Sequence, residues 1–298
     1  MLPQLTPQTE LLIIDNGSTD GTDAAVRSLQ EQDGRVRYEY ETRLGIACAR
    51  NAGLAKASGS YVLFLDDDEL AAPGWLDHYL RFLERNATGR IGSVGGPYIA
   101  THTAPTPVWV RPTYGVFDLG REEGPLPQGE GLAGGNSAYH CQRALELGGF
   151  CESLLRSDDS EINWRLQEAG WEVWWLPKAA VYHVIGPERF RVSYQMKVAF
   201  AEGKDRAMLW ATTFAPRNRY PLYVFARIVL APVHFLLLLA TSLVHLCRGK
   251  IVFGVESLVK ISRYLGMIRE WVRPGHWRSW WTGGAPLQPI PRRSASAR

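Results

Sequence analysis

Tyr61-Val62-Leu63-Phe64-Leu65-Asp66-Asp67-Asp68-Glu69 decides how the chain is read: an unbroken apolar run goes straight into a row of carboxylates. A short apolar run bounded by polar residues is the pattern of a buried strand. Three consecutive aspartates after it repel one another, and a divalent cation would compensate that charge; all-oxygen donors suit Mg²⁺ or Mn²⁺. Immediately upstream, Gly45 to Ala57 is Ala-rich and helical, stopped by Ser58-Gly59. Downstream, Pro73 opens another helix at a first-turn position. Further back, Glu10-Leu11-Leu12-Ile13-Ile14 is a second apolar strand, closed by the turn Asp15-Asn16-Gly17. Thr22 to Gln32 has helical spacing, with Thr22 or Asp20 as N-cap, and Arg35 to Glu41 alternates as a strand does. Strands alternating with helices predict an α/β domain with a mostly parallel sheet covered on both faces. In such sheets ligands bind beyond the carboxyl ends of strands. Asp15 and Asp66–Asp68 both sit at such ends and are expected to face one crevice, although ordinary turn and cap chemistry accounts for Asp15 equally well.

Towards the C-terminus, Gly134-Gly135-Asn136-Ser137-Ala138 leads into a helix around Arg143–Leu147, followed by Gly148-Gly149-Phe150. Asp158-Asp159-Ser160-Glu161 opens a helix running through Trp164-Arg165-Leu166; acids in a first helical turn are favoured by the helix dipole alone. Trp171 to His183 is a further strand region, and a histidine at such a strand end is ordinarily a packed or surface residue. The Pro/Gly-rich stretch Pro97 to Gly131 carries no usable period. Cys48, Cys141, Cys151 and Cys247 show no C-x-x-C spacing and read as reduced, buried thiols rather than a disulfide or zinc framework. Met1 to Glu10 lacks the basic flank and apolar run of a signal peptide.

The net charge of +3 conceals an asymmetry: residues 1–215 carry a balance of −8 and residues 216–298 one of +11. With 46% hydrophobic residues overall, the chain is globular rather than disordered. The boundary is expected near Pro216, with a domain over 1–215 and a basic, Trp-rich helical segment over 216–298.

Taken together these segments resemble the family 2 glycosyltransferases. Ile13 to Thr22 resembles the family's nucleotide-binding segment. Ala49-Arg50-Asn51-Ala52-Gly53, with Gly59 to Asp68, resembles its helix, strand and D-x-D motif. Gly135-Asn136-Ser137-Ala138 with Gly148-Gly149-Phe150 resembles the acceptor-side segment, and Asp158 to Leu166 with Gly170 resembles the E-D helix. The matches stand in the family's order from Leu11 to His183.

The resemblance implies a GT-A fold and transfer of a sugar from a nucleotide-diphosphate sugar to a hydroxyl acceptor, with inversion. It implies that Asp15 binds the nucleobase and that Asp66 or Asp67 holds the ribose or the metal shell. Asp68 would ligate a divalent metal (Mg²⁺ or Mn²⁺) bridging the diphosphate, with His183 near that metal. Asp159 would be the general base, with Asp158 as its neighbouring rival. Arg50 or Arg43 would meet the nucleotide, and the spacing does not choose between them. Two departures stand out. The acidic pair is Asp158-Asp159 rather than Glu-Asp. Family members also usually carry a strand and helix before the segment matching Leu11–Asp15, which raises the expectation that the protein begins upstream of Met1 or is poorly stable and weakly active in this form.

Nucleotidyl transfer is a rival chemistry, but the Gly-rich, basic phosphate loop it uses near the first strand is missing from the sequence. A catalytically impaired GT-A scaffold is the non-enzymatic rival. No nucleic acid partner is expected. Ile228 to Cys247 is a 20-residue, mostly apolar run with cations on both flanks: Arg217, Arg219 and Arg227 before it, Arg248 and Lys250 after. Cations at both ends disfavour a single crossing. Ile251 to Trp271 reads as an in-plane amphipathic helix, with Trp271, Trp277, Trp280 and Trp281 suited to an interface. These features predict attachment to the cytoplasmic face of the membrane through a re-entrant or in-plane C-terminal segment, and hence a lipid-linked or membrane-proximal glycan acceptor.

Overall fold

A computed structural model describes residues 1–87, 89–209 and 220–273. The boundary expected near Pro216, the cations Arg217 and Arg219, and Trp277, Trp280 and Trp281 lie outside the described residues. The chain forms two compact units, one holding Met1–Ile99 and Gly115–His183, the other Ala100–Tyr114 and the described residues from Val184 onwards. The division thus differs from a cut at residue 215, because residues 100–114 and 184–209 group with the C-terminal helices.

In the first unit, β1 (Leu11–Asp15) and β2 (Val36–Tyr40) pair in parallel through the crossover helix α1 (Thr22–Gln32). The helix begins after Gly21, and the Asp20 carboxylate accepts the Thr22 N–H at 3.2 Å. Next along the chain come α2 (Ile46–Lys56), β3 (Tyr61–Phe64), β4 (Glu69–Ala71), α3 (Trp75–Arg85) and β5 (Ile91–Gly95). After β6 (Tyr98–His102) follow β7 (Gly124–Pro125), β8 (Ser137–His140), α4 (Cys141–Glu146), α5 (Asp158–Glu168), β9 (Glu172–Trp175) and β10 (Val181–Ile185). The main sheet has the order β3-β8-β5-β9-β7. It is mixed rather than mostly parallel: β8 runs antiparallel to both β3 and β5, while β5 and β9 are parallel. The sequence reading missed β8, whose four residues hold no apolar run and lie between a glycine pair and a helix.

Burial follows position in the sheet. The central strand β5 is buried at every residue, whereas the more apolar Leu11–Ile14 and Tyr61–Phe64 are only half-buried. That is the exposure of strands paired along one edge, β1 with β2 and β3 with β8. On α3, Trp75, Leu76, Tyr79 and Phe82 recur at helical spacing and pack on Ile91, Val94 and Ala138. The thiols are free; Cys48 and Cys151 are buried as expected, but Cys141 is half-buried and Cys247 is exposed.

Behind the sheet, Asn136 is fully buried with every polar atom satisfied. Its Oδ1 accepts from Trp75 Nε1 at 2.7 Å and from the Tyr79 hydroxyl at 2.9 Å. Its Nδ2 donates to Ala179 O at 2.8 Å and to Pro97 O at 3.1 Å.

The second unit is helical: α6 (Val192–Leu209), α7 (Tyr220–Val229), α8 (Ala231–Cys247) and α9 (Ile251–Trp271). α6 and α9 cross in direct backbone contact. A Cβ on Gly203 would lie 1.9 Å from Arg263 O, and one on Gly266 would lie 2.0 Å from Phe200 O, so only glycine fits at either point. Ala207, Val224, Tyr264, Met267 and Trp271 form this unit's core. On α9, expected to lie in a membrane plane, Ile261, Tyr264 and Met267 pack inward and Trp271 is fully buried, while Ile251, Phe253 and Leu265 stay exposed.

Replacing Asn136 by Ala strands the Trp75 indole N–H and the Ala179 carbonyl inside the core. The N136A protein is expected to lose about 3 kcal/mol of stability in urea denaturation, with the m-value unchanged.

Candidate active site

The carboxylate row at the end of β3 folds back on itself. Asp66, Asp68 and Glu69 bring ligand oxygens within 4.8 Å of one another, while Asp67 points outward and is exposed. β4 pairs antiparallel with β10 so that His183 stands opposite Glu69. His183 Nε2 then lies 3.7 Å from Asp68 Oδ2, and its Nδ1 is 3.3 Å from Gly115 O. Burial, and secondarily the charge of Asp66, push the Glu69 carboxyl up to about 8. Burial likewise raises Asp66; Arg50 opposes the shift and Asp68 adds to it. Three carboxylates and an imidazole at this spacing form a donor set suited to a hard divalent cation.

Arg50 projects from α2 into the space behind this cluster. Only 5% of it is exposed, and its guanidinium lies 5.7 Å from the centre of the Phe150 ring. Nη1 donates to Asp158 Oδ2 at 2.9 Å, and Nη2 lies 3.4 Å from both oxygens of Asp66. Burial works against the Arg50 charge, but Asp158 and then Asp66 outweigh it and hold the guanidinium protonated. Asp158, the first residue of α5, is wholly buried, and among the described residues neither its Oδ1 nor Arg50 Nε has a hydrogen-bond partner.

Asp159 differs from its neighbour. It remains partly accessible; its Oδ2 accepts the Gly134 N–H at 2.9 Å and its Oδ1 the Ser160 N–H at 2.6 Å. Loss of solvation raises its pKa, the adjacent Asp158 charge raises it further, and Arg50 pulls it back.

The Gly134-Gly135 backbone closes the group. A Cβ on Gly134 would meet Arg50 Nη1 at 2.4 Å, and one on Gly135 would meet Glu69 Oε1 at 2.5 Å. The Gly135 N–H donates to the Tyr98 hydroxyl at 2.8 Å, and that hydroxyl in turn hydrogen-bonds Glu69.

Asp15 is held separately, at the end of β1. It is 4% exposed and accepts the Tyr38 hydroxyl at 2.7 Å and the Ser18 N–H at 2.8 Å. The Tyr38 bond is the largest influence lowering its pKa. Ile14 and Phe64, one and two residues before Asp15 and Asp66, both pack on Gly53 of α2.

Residues 2–129 match the protein family described as Glycosyl transferase family 2. The chain carries a glycosyl transferase family 2 domain. An uncharacterized glycosyltransferase of Haemophilus influenzae is 40% identical over 86 residues, 28% of this chain and 34% of the relative. A Bacillus subtilis glycosyltransferase named for teichuronic acid biosynthesis is 38% identical over 84 residues, 28% of this chain and 33% of its own. The matched stretches span about a third of the length of these two curated relatives. Among solved structures, a mannosyltransferase from Pyrobaculum calidifontis, in complex with GDP-Man and Mn²⁺, superposes with a TM-score of 0.50 at 18% identity. That superposition covers 93% of this chain and 75% of the other. At that identity it establishes the fold alone, and the fold is GT-A.

The residues singled out in the sequence fall into three groups, of which Asp158, Asp159 and His183 lie beyond the family match. Asp66, Asp68, Asp158, Asp159 and His183 come together around Arg50 and the glycine pair. Asp67 and Asp15 make no bond to that group among the described contacts. Arg43 pairs on the surface with Glu41 at 3.0 Å and Glu152 at 2.9 Å. Arg50 is placed to join protein carboxylates, not to lie open to a nucleotide. Glu69 and Tyr98 were missed; the unbroken run of acids into Glu69 was a usable signal, while Tyr98 lies in the stretch without a period.

Removing one member of a buried ion pair leaves the other charged and unsolvated, at about 3–5 kcal/mol. Arg50→Met is therefore expected to lose stability of that order in urea denaturation, and Arg50→Met/Asp158→Leu to regain most of it.

Proposed function

We propose that the chain transfers a sugar from a nucleotide-diphosphate sugar to a glycan hydroxyl, lipid-linked or membrane-proximal, with inversion at the anomeric carbon. The observation that carries this reading is the pairing of a carboxylate cluster inside the family 2 match with a second, accessible carboxylate beyond it. The two are tied together through one arginine and one glycine pair. The acceptor oxygen forms its bond to the anomeric carbon as the bond from that carbon to the diphosphate oxygen breaks. Asp159 takes the hydroxyl proton, and the nucleoside diphosphate leaves. Asp158 is the weaker candidate for the base because it is fully buried and engaged by Arg50. A carboxyl with a raised pKa is a better proton acceptor near neutrality than an ordinary aspartate. Asp159 is the group so disposed.

A divalent cation bound by Asp68 with Asp66, Glu69 and His183 would neutralise charge on the departing diphosphate. The chain's own residues position the rest. Arg50 sets the distance between the Asp66 and Asp158 carboxylates, and the Gly134 N–H fixes the rotamer of Asp159. Asp15, with its lowered pKa, offers an ionised acceptor for a nucleobase N–H. Polysaccharide assembly is the setting favoured by the relative named for teichuronic acid biosynthesis.

A panel of sugar nucleotides incubated with glycan acceptors is expected to release nucleoside diphosphate, not pyrophosphate, and to lose activity on chelation and regain it with Mn²⁺ or Mg²⁺. Asp159→Asn is expected to keep donor binding in calorimetry while turnover falls by about 10²–10⁴, as for loss of a general base. Because the base works ionised, wild-type turnover should fall with decreasing pH, with its half-point above the ordinary aspartate value of about 3.9. Full activity of Asp159→Asn would move the role to Asp158, and release of pyrophosphate would exclude sugar transfer.

A further inference from the structure

The second unit contains a helix whose polarity is inverted relative to a surface helix of a water-soluble protein. On α8, three polar residues face the protein, and exposed Thr241 donates its hydroxyl back to Leu237 O at 2.7 Å. Ser242 is 1% exposed and donates to Gly254 O on α9 at 2.9 Å. His234 stacks on Tyr264 with ring centroids 4.8 Å apart, and His245 lies 5.4 Å from Phe253. His234, Ser242 and His245 recur at helical spacing and mark the side packed on α9. The opposite side is aliphatic and bare, with Val233, Leu236, Leu237 and Leu243 all 55–63% exposed. α7 extends the same surface through Leu222, Phe225 and Val229, at 71%, 66% and 56%. Exposed apolar residues scattered singly are normal, but a contiguous face of this size marks a binding surface.

We infer that the bare face of α7–α8 is a lipid-binding wedge that enters one leaflet of an anionic bilayer and returns to the same side. Charge selects lipid as the occupant. Residues 220–250 contain no Asp or Glu, and exposed Arg227, Arg248 and Lys250 lie beside the apolar face. Such cations are attracted to anionic headgroups at about 1 kcal/mol each. Their position at both ends of α8 favours having both ends on the cytoplasmic side.

Length and shape agree. α7 and α8 have 10 and 17 residues, about 15 and 25 Å at 1.5 Å per residue. The hydrocarbon core is about 30 Å thick. Among the described residues no single helix is long and apolar enough to cross a membrane; α7 and α8 reach that length only together, inclined by 54° at the break between Val229 and Ala231. The 20-residue apolar run of the sequence is thus two helices, with Pro232 at the first turn of the second. α9 is not taken as the wedge, because Val255, Ile261, Tyr264, Met267 and Trp271 on it are buried. The inference stands apart from sugar transfer, since lipid binding is read without turnover.

The test is flotation of the full chain with vesicles of phosphatidylcholine alone and of phosphatidylcholine with 30% phosphatidylglycerol. The protein is expected to float with the anionic vesicles. Leu236→Asp/Leu237→Asp, on the bare face and away from the packed side, is expected to cut binding at least tenfold with the circular dichroism spectrum unchanged. Arg248→Gln/Lys250→Gln, which touches no packed residue, should cut it about thirtyfold, as two such contacts imply, and less at high salt. Exposed Cys247, at the end of α8, should stay reactive to a membrane-impermeant maleimide added outside the vesicles. A full chain that remains unbound to both vesicle types overturns the inference, as does a detergent-free dimer dispersed by Leu236→Asp/Leu237→Asp. Protection of Cys247 in the bound protein overturns the return to the same side.

Discussion

The buried guanidinium of Arg50 is the constraint on which the site depends. It comes from α2, and it reaches Asp158 at the start of α5 and Asp66 at the end of β3. α5 is far from the other two in sequence, and it and β3 each bring a carboxylate to the same recess. Without a cation between them, Asp66 and Asp158 would repel across a poorly solvated gap. A buried ion pair adds little to net stability once desolvation is counted, so the contribution of Arg50 is geometric. It holds the carboxylate cluster beside β4 at a set distance from Asp159. The two adjacent aspartates of α5 differ accordingly: Asp158 is enclosed and paired with Arg50, while Asp159 is half-buried, its pKa raised chiefly by lost solvation.

The glycine pair follows from that packing. Gly134 lies against the guanidinium and Gly135 against Asp66 and Glu69, closer than any side chain allows. Their amide groups then serve the neighbouring acids and Tyr98. Asn136, next in sequence, turns the other way and secures the segment to Trp75 and Tyr79 on α3. Local sequence, packing and site chemistry meet in three consecutive residues.

Much of this was legible in the sequence where the signal is local. The apolar runs of β1 and β3, the helices α1, α2 and α5, and the acids at their ends were read from periodicity and turn chemistry. What escaped was set by distant pairing. Ser137–His140 becomes a central strand only because β3 and β5 bind it from both sides. Glu69 acquires its environment from β10, and Tyr98 from Gly135. Arg50 was recognised as a site residue but its partner was not, since nothing near it in the chain announces Asp158. In the second unit, the charged face and tryptophans suggested α9 as an interfacial helix beside the apolar run that becomes α8; the glycine contacts of α9 with α6 are not revealed by sequence period.

The central claim is that the Asp66–Asp68–Glu69 cluster with His183 and the Asp159 carboxylate are two sides of one centre. Anomalous diffraction at the manganese edge, from crystals soaked with Mn²⁺ and a nucleoside diphosphate, tests it most directly. The account predicts a single manganese peak coordinated by the Asp68 carboxylate and the diphosphate, with the diphosphate's terminal oxygen directed towards Asp159. A diphosphate bound away from Asp68, or a terminal oxygen on the far side of Arg50 from Asp159, would contradict it.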